Sequence, residues 1–164
     1  RARFGITCHL EYYDTAVLSG IVKRSARIID ISIDDDAAWE VALRSRGTPR
    51  IANRLLKRAR DFAAALNRER ITAETIKTTL FQLHIDGCGL DEIDREYMST
   101  IVKFYAGGPV GIENLAAALS EPSDTIEDVI EPYLMQLGFV QRTPRGRVIT
   151  DLGYQHLGLG KSDA

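Results

Sequence analysis

The sequence predicts a mainly α-helical chain of two small modules, the second closed by a β-hairpin. Three observations carry this expectation. Apolar residues recur at spacings of three and four over most of the 164 residues, as one-sided helices require. Charge changes sign near "IDGCGL" at residues 85–90: residues 1–86 hold fifteen Lys/Arg against eleven Asp/Glu, net +4, and residues 87–164 hold six against twelve, net −6. Near the end, "FVQRTPRGRVIT" reads as two short strands around a turn.

After an extended start, "FGITCHLEYY", Asp14 is placed to cap a first helix whose Val17, Ile21, Val22 and Ile28 share a face. Asp34, Asp35 and Asp36 favour the positive end of a second helix, with Ala38, Val41 and Ala42 on its buried side and Gly47 as its end. Thr48 then suits an N-cap and Pro49 the first helical position, which puts Arg50 in the first turn of a third helix. A fourth starts at Thr72 and runs through Ile76, Leu80 and Leu83. Four helices in about seventy residues form a small bundle.

Gly87 and Gly89 mark a linker, and Asp91 can cap the first helix of the second module. Helices are expected over residues 91–106, 111–119 and 124–137. In the last of these Ile126, Val129, Ile130, Tyr133, Leu134 and Leu137 recur at helical spacing, Asp124 with Glu127 resembles a capping box, and Gly138 is a stop. Pro132 should kink or divide that helix, since it has no N–H and its ring crowds the preceding turn. In the hairpin, Pro144 fits the first central turn position and Gly146 a bulge conformation. Three helices and a hairpin make a winged helix.

Two constellations carry chemistry. Arg50 meets the positive end of its own helix dipole, a loss of a few tenths to about 1 kcal/mol that an anion relieves, and a guanidinium beside free helix-start N–H groups suits phosphate. Its alternative is solvent or an aspartate partner. Arg142, Arg145 and Arg147 lie within six residues in an otherwise acidic module, so nucleic acid would have to be held by this focused patch rather than by the overall field. Their alternative is solvation of an edge hairpin. The basic face of Arg54, Lys57, Arg58 and Arg60 reads either as a solvated face or as a docking surface.

Other functions find little support. Cys8 and Cys88 form no CxxC, and neither Cys8–His9 nor His84–Cys88 has the further ligands of a metal site, so none is expected. Trp39 and the tyrosines read as core. With no apolar run of membrane-spanning length and no leader-like start, the expectation is a cytoplasmic protein with reduced thiols and no membrane partner. A first residue of Arg1 suggests a piece of something longer.

"RARFGI" at 1–6, "RGTPRIANRLL" at 46–56, "GGPVGIENLAAAL" at 107–119 and "DTIEDVIEPYLMQLGFVQRTPRGR" at 124–147 closely resemble the RuvB family. Its members are bacterial ATP-driven motors that migrate Holliday junctions in DNA recombination and repair. The resemblance implies residues 1–13 as the end of a large AAA+ ATPase domain, 14–86 as the small helical lid and 87–164 as a winged-helix DNA-binding head. It implies that Arg3 is an arginine finger reaching a neighbouring subunit's ATP, that Tyr13 contacts nucleotide at the hinge, and that Arg50 is the sensor arginine on the ATP phosphates. Arg142 and Arg147 match DNA-contacting arginines, with Arg145 at the tip between them.

The cofactor so implied is ATP, with magnesium held by the large domain. The resemblance further implies a homohexameric helicase of the SOS response, acting on junction or duplex DNA with RuvA, which docks on the large domain, and with RuvC. The sequence lacks a GxxxxGK[ST] loop and an acidic pair after an apolar strand, so this chain alone should not hydrolyse ATP. Ser123 departs from the family, where many relatives place an arginine. The alternative is a winged-helix regulator with a helical dimerisation module, which needs base-reading donors on its recognition helix.

Overall fold

The computed structural model describes residues 12–159. The expectations for Arg3, for Cys8 and His9, and for most of the extended start lie outside the described residues. The chain divides into two compact units between Gly89 and Leu90.

In the first unit, α1 (Thr15–Ile28) begins where the Asp14 carboxylate accepts from the Val17 N–H at 2.7 Å. Its buried row is Leu18, Val22 and Ala26, so the inward face is turned from the expected one and Val17 and Ile28 are exposed. The cause is the partner helices, which offer small side chains. Ala37, Ala38, Val41 and Ala42 of α2 (Asp35–Leu43) are buried, as are Ala52, Leu55, Leu56, Ala59 and Ala63 of α3 (Pro49–Ala65), and close helix approach at alanines selects the Leu18 row.

Helix α2 stops at Leu43, four residues before Gly47, because Arg46 and Gly47 both take left-handed conformations and reverse the chain. Thr48 and Pro49 start α3 as expected, although the Thr48 hydroxyl turns back to donate to the Ser45 carbonyl instead of capping. Thr72 caps α4 (Ala73–Gln82) in a mutual box with Thr75. Trp39, expected in the core, is exposed on the outer side of α2. A parallel pair of two-residue strands, β1 (Ser32–Ile33) and β2 (Arg70–Ile71), ties the bundle together, and two residues are too few to show alternation in a sequence.

In the second unit, Asp91 caps α5 (Glu92–Tyr105) in a box with Asp94, and α6 (Ile112–Leu119) comes next. The expected 124–137 helix is divided. A short α7 (Ser123–Thr125) runs into a π turn (Ile126–Ile130) and then α8 (Glu131–Gln136). The Glu131 N–H donates to the carbonyl of Ile126, five residues back. This widened turn is how the backbone accepts Pro132, which supplies no donor and excludes a carbonyl from the usual place. No capping box forms between Asp124 and Glu127: Pro122 holds the cap position and Glu127 faces the hairpin.

Strands β3 (Val140–Thr143) and β4 (Gly146–Ile149) pair regularly around Pro144 and Arg145, with Arg142 opposite Arg147 and Thr143 opposite Gly146. Val110 adds a third strand position through bonds in both directions with Arg147, at 3.0 and 2.8 Å. A closing helix, α9 (Asp151–His156), is capped by Thr150; with six residues it was too short to be read from periodicity. The core of this unit gathers Tyr97, Met98 and Ile101 of α5 with Leu115, Ile126, Ile130 and Leu134.

Gly146 takes a φ of 133°, and a Cβ there would meet the Val110 carbonyl oxygen at 2.4 Å. Gly146→Ala should therefore destabilise the second unit by at least about 1–3 kcal/mol, the usual scale of backbone strain, in urea denaturation followed by circular dichroism. A neutral substitution would show that the Val110–Arg147 bridge does not hold the hairpin.

Candidate nucleic-acid interface and phosphate-facing corner

Because Arg142 and Arg147 are directly opposed in the hairpin register, their side chains share one face of the wing, and two like charges so placed repel unless neutralised. That face meets Glu127 and Glu131, four residues apart across the π turn. Arg147 donates from Nε to Glu131 Oε1 at 2.8 Å and from Nη2 to Glu127 Oε1 at 2.5 Å. Arg142 Nη2 lies 2.5 Å from Glu131 Oε2 and 3.4 Å from Glu127 Oε1. The Tyr97 hydroxyl, from the core of α5, donates to Glu131 Oε1 at 2.8 Å.

Exposure separates the members of this cluster. The side chains are 0% exposed for Glu131, 9% for Arg147, 39% for Glu127 and 48% for Arg142. Burial pushes the Glu131 carboxyl up, but hydrogen bonds from Arg147, Arg142 and Tyr97 more than offset it, so its pKa lies below the ordinary value. Burial pushes Arg147 down, and its bonds to Glu131 and Glu127 return it above its usual value. Desolvation, then the charge and hydrogen bond of Glu131, raise Tyr97, which stays a neutral donor. Two guanidinium and two carboxylate charges cancel.

The three wing arginines are placed differently from one another. Arg147 is buried with its Nε–Nη2 edge bound to carboxylates. Arg142 is half exposed beside its carboxylates. Arg145 stands exposed at the tip, and its side chain makes no ion pair among the described residues. The tip itself is held by Thr143, whose hydroxyl donates to the Gly146 carbonyl at 2.8 Å and accepts from the Arg145 N–H at 3.3 Å. An open groove of about 430 Å³ lies between this tip and the start of α6.

In the first unit, the Tyr13 N–H donates to the Gly47 carbonyl at 2.9 Å, which brings Tyr13 to the turn that starts α3. Tyr12 packs on Gly47, where a Cβ would come within 2.6 Å of the Tyr12 Cβ. Arg50 is exposed in a first helical turn that contains no acid, and it makes no ion pair among the described residues. Among the described residues, then, no aspartate holds it. Tyr13 is exposed at the same corner. Of the neighbouring basic face, Arg60 pairs with Asp61, while Arg54, Lys57 and Arg58 face solvent.

Sequence reasoning missed Glu127, Glu131 and Tyr97. The available signal was two glutamates four apart, just ahead of Pro132, facing a hairpin with arginines on both strands.

Comparison with known proteins fits this geometry. The RuvB AAA lid domain family matches residues 13–86, and the RuvB C-terminal winged helix domain family matches residues 87–158. The chain belongs to the RuvB family. It is 54% identical over 159 residues to the Holliday junction branch migration complex subunit RuvB of Ligilactobacillus salivarius (strain UCC118), covering 97% of this chain and 47% of that protein. The RuvB of Limosilactobacillus reuteri (strain DSM 20016) is 52% identical over the same shares. A solved Thermotoga maritima RuvB, described as a Holliday junction branch migration motor, superposes with a TM-score of 0.93 at 48% identity, over 97% of this chain and 53% of that one. The chain thus spans about half the length of the RuvB relatives it matches.

Because the folded-state pKa of Glu131 is depressed, the unfolded chain binds the extra proton first on acidification. The stability contributed by the ionised carboxylate is fully present above the ordinary value of 4.5 and is lost as pH falls below it, through the depressed value. Unfolding free energy should therefore drop with acid in that window, with Glu127, Arg142, Arg147 and Tyr97 as the groups that face the carboxyl. Glu131→Gln should flatten that dependence and cost about 3–5 kcal/mol at neutral pH. Parallel acid profiles for the two proteins would contradict the assignment.

Proposed function

We propose that this chain provides the nucleotide-sensing lid and the DNA-gripping head of an ATP-driven Holliday junction branch migration motor. Residues 1–13 close a large ATPase domain, 14–86 form the lid and 87–164 the head. The observation that supports the reading best is the bare Arg145, held out on a braced winged-helix tip in a chain that matches RuvB across both units.

The head grips phosphate without reading bases, which suits a motor that must travel over arbitrary sequence. Arg145 makes the leading contact, Arg147 braces the tip, and Arg142, paired with its two glutamates, is a contact held in reserve beside it. In the lid, Arg50 and Tyr13 face the ATP of their own subunit, so that nucleotide state sets the lid angle. Arg3 acts in trans as the arginine finger of a neighbouring subunit, stabilising charge on the transferred phosphoryl group. Magnesium sits on the large domain. The whole protein works as a cytoplasmic hexameric helicase in the SOS response, with RuvA and RuvC at the junction. Among the described residues no helix is long and apolar enough to cross a membrane.

A sequence-reading regulator is disfavoured by the segment that would enter the groove. Asp124, Glu127, Asp128 and Glu131 make it acidic, and it offers almost no base-edge donors. The two family matches fit the motor reading instead.

Fluorescence anisotropy on scrambled duplexes should give equal affinities for all sequences. Arg145→Ala should weaken every one about five- to twentyfold at low salt and lower the salt slope by about 1. A single preferred operator would overturn the reading. Phosphate release by this chain with ATP and magnesium should equal the buffer blank; release that Arg50→Ala abolishes would show catalysis within these 164 residues.

A further inference from the structure

The two glutamates under the wing are not equivalent. Glu131 is sealed in, bonded to Tyr97 and Arg147 as well as to Arg142, and cannot leave without stranding a buried guanidinium. Glu127 lies at the rim, 39% exposed, with Oε1 toward Arg147 and, at 3.4 Å, toward Nη2 of the half-exposed Arg142. It borders the open groove that also takes in Arg142, Arg145 and the start of α6. A carboxylate in that place offsets the charge of a guanidinium whose Nη2 Glu131 already holds at 2.5 Å, and so competes electrostatically with any phosphate that enters the groove.

We infer that Glu127 is an affinity-setting residue of the head: it competes with DNA phosphate for Arg142 and keeps the wing's grip weak. The inference rests on the DNA reading of the wing and deepens it. With Glu127 ionised, the four-residue charge cluster is neutral and Arg145 is the wing arginine left without an ion pair among the described residues. When Glu127 is replaced by Gln or swings to solvent, the cluster gains a net positive charge and Arg142, still held at Nη2 by Glu131, offers its remaining donors as a second phosphate contact. Glu131 alone still holds Arg147 through two contacts, at 2.8 and 3.4 Å, so the brace survives. A head that must release and re-engage the duplex at each step needs such a moderated contact, because every added phosphate neutralisation lowers the off-rate and steepens salt dependence.

The test measures duplex affinity of the 164-residue chain against salt for wild type, Glu127→Gln, Arg142→Ala and the double variant. Glu127→Gln should bind about five- to twentyfold tighter at low salt, with a slope larger by about 1. Arg142→Ala should cost no more than about twofold in wild type but about tenfold in the Glu127→Gln background, because only there does the cluster around Arg142 carry a net positive charge toward phosphate. Unchanged or weaker binding by Glu127→Gln, or additive effects of the two substitutions, would overturn the inference and leave Glu127 a purely structural partner. If Glu127→Gln unfolds the head, Arg142→Ala alone decides: a twofold loss supports competition and a tenfold loss overturns it. If wild type binds and Arg145→Ala matters while Glu127→Gln does nothing, this inference fails and the DNA reading stands. If neither wild type nor Glu127→Gln binds duplex, the DNA reading fails and this inference with it.

Discussion

A carboxylate with no exposure to water must find its whole solvation in the protein, and in the head that requirement governs everything around it. Glu131 receives donors from three directions: Tyr97 out of the α5 core, and Arg142 and Arg147 from opposite strands of the wing. Without those donors the buried charge would cost several kcal/mol. With them, one side chain links the helical core to the hairpin and fixes the wing's attitude. The π turn serves the same end, because the backbone that accommodates Pro132 also aims Glu127 and Glu131 at the wing.

The chain handles its cations in two contrasting ways. In the head, two of the three wing arginines are neutralised and only the tip is left bare among the described residues. A net-negative unit thereby presents Arg145 as a focused positive point at the wing tip. In the lid, Arg50 has no ion pair among the described residues and stands against an unfavourable helix dipole with no acid in its turn, and the Tyr13–Gly47 hydrogen bond holds a second exposed side chain at the same corner. In the proposed function both cations meet phosphate, Arg50 on a nucleotide and Arg145 on a nucleic-acid backbone.

Much of the fold was legible in the sequence, wherever a local signal had a local cause. Asp14, Thr72 and Asp91 cap helices through their own side chains, the Thr48–Pro49 start needs only neighbouring residues, and the division ahead of Pro132 results from a missing N–H. What escaped depends on partners distant in sequence. The inward face of α1 was set by alanines on α2 and α3, the β1–β2 pair joins residues nearly forty positions apart, and the six-residue α9 is defined by its place beside the hairpin. The wing arginines show the limit most clearly. Clustering in sequence marked them as a patch, but the two glutamates that divide them into brace and tip come from a different element, and Glu127 had a local role available as a cap residue.

The dependence of the wing on its buried carboxylate is tested most directly by a double-mutant cycle on folding stability with Glu131→Gln, Arg147→Met and the pair together. A bonded buried charge pair predicts strong coupling, above about 1.5 kcal/mol, with the double variant much less destabilised than the sum of the single ones. Additive destabilisation, with coupling within about 0.5 kcal/mol of zero, would contradict the account, because the wing would then be held without this interaction.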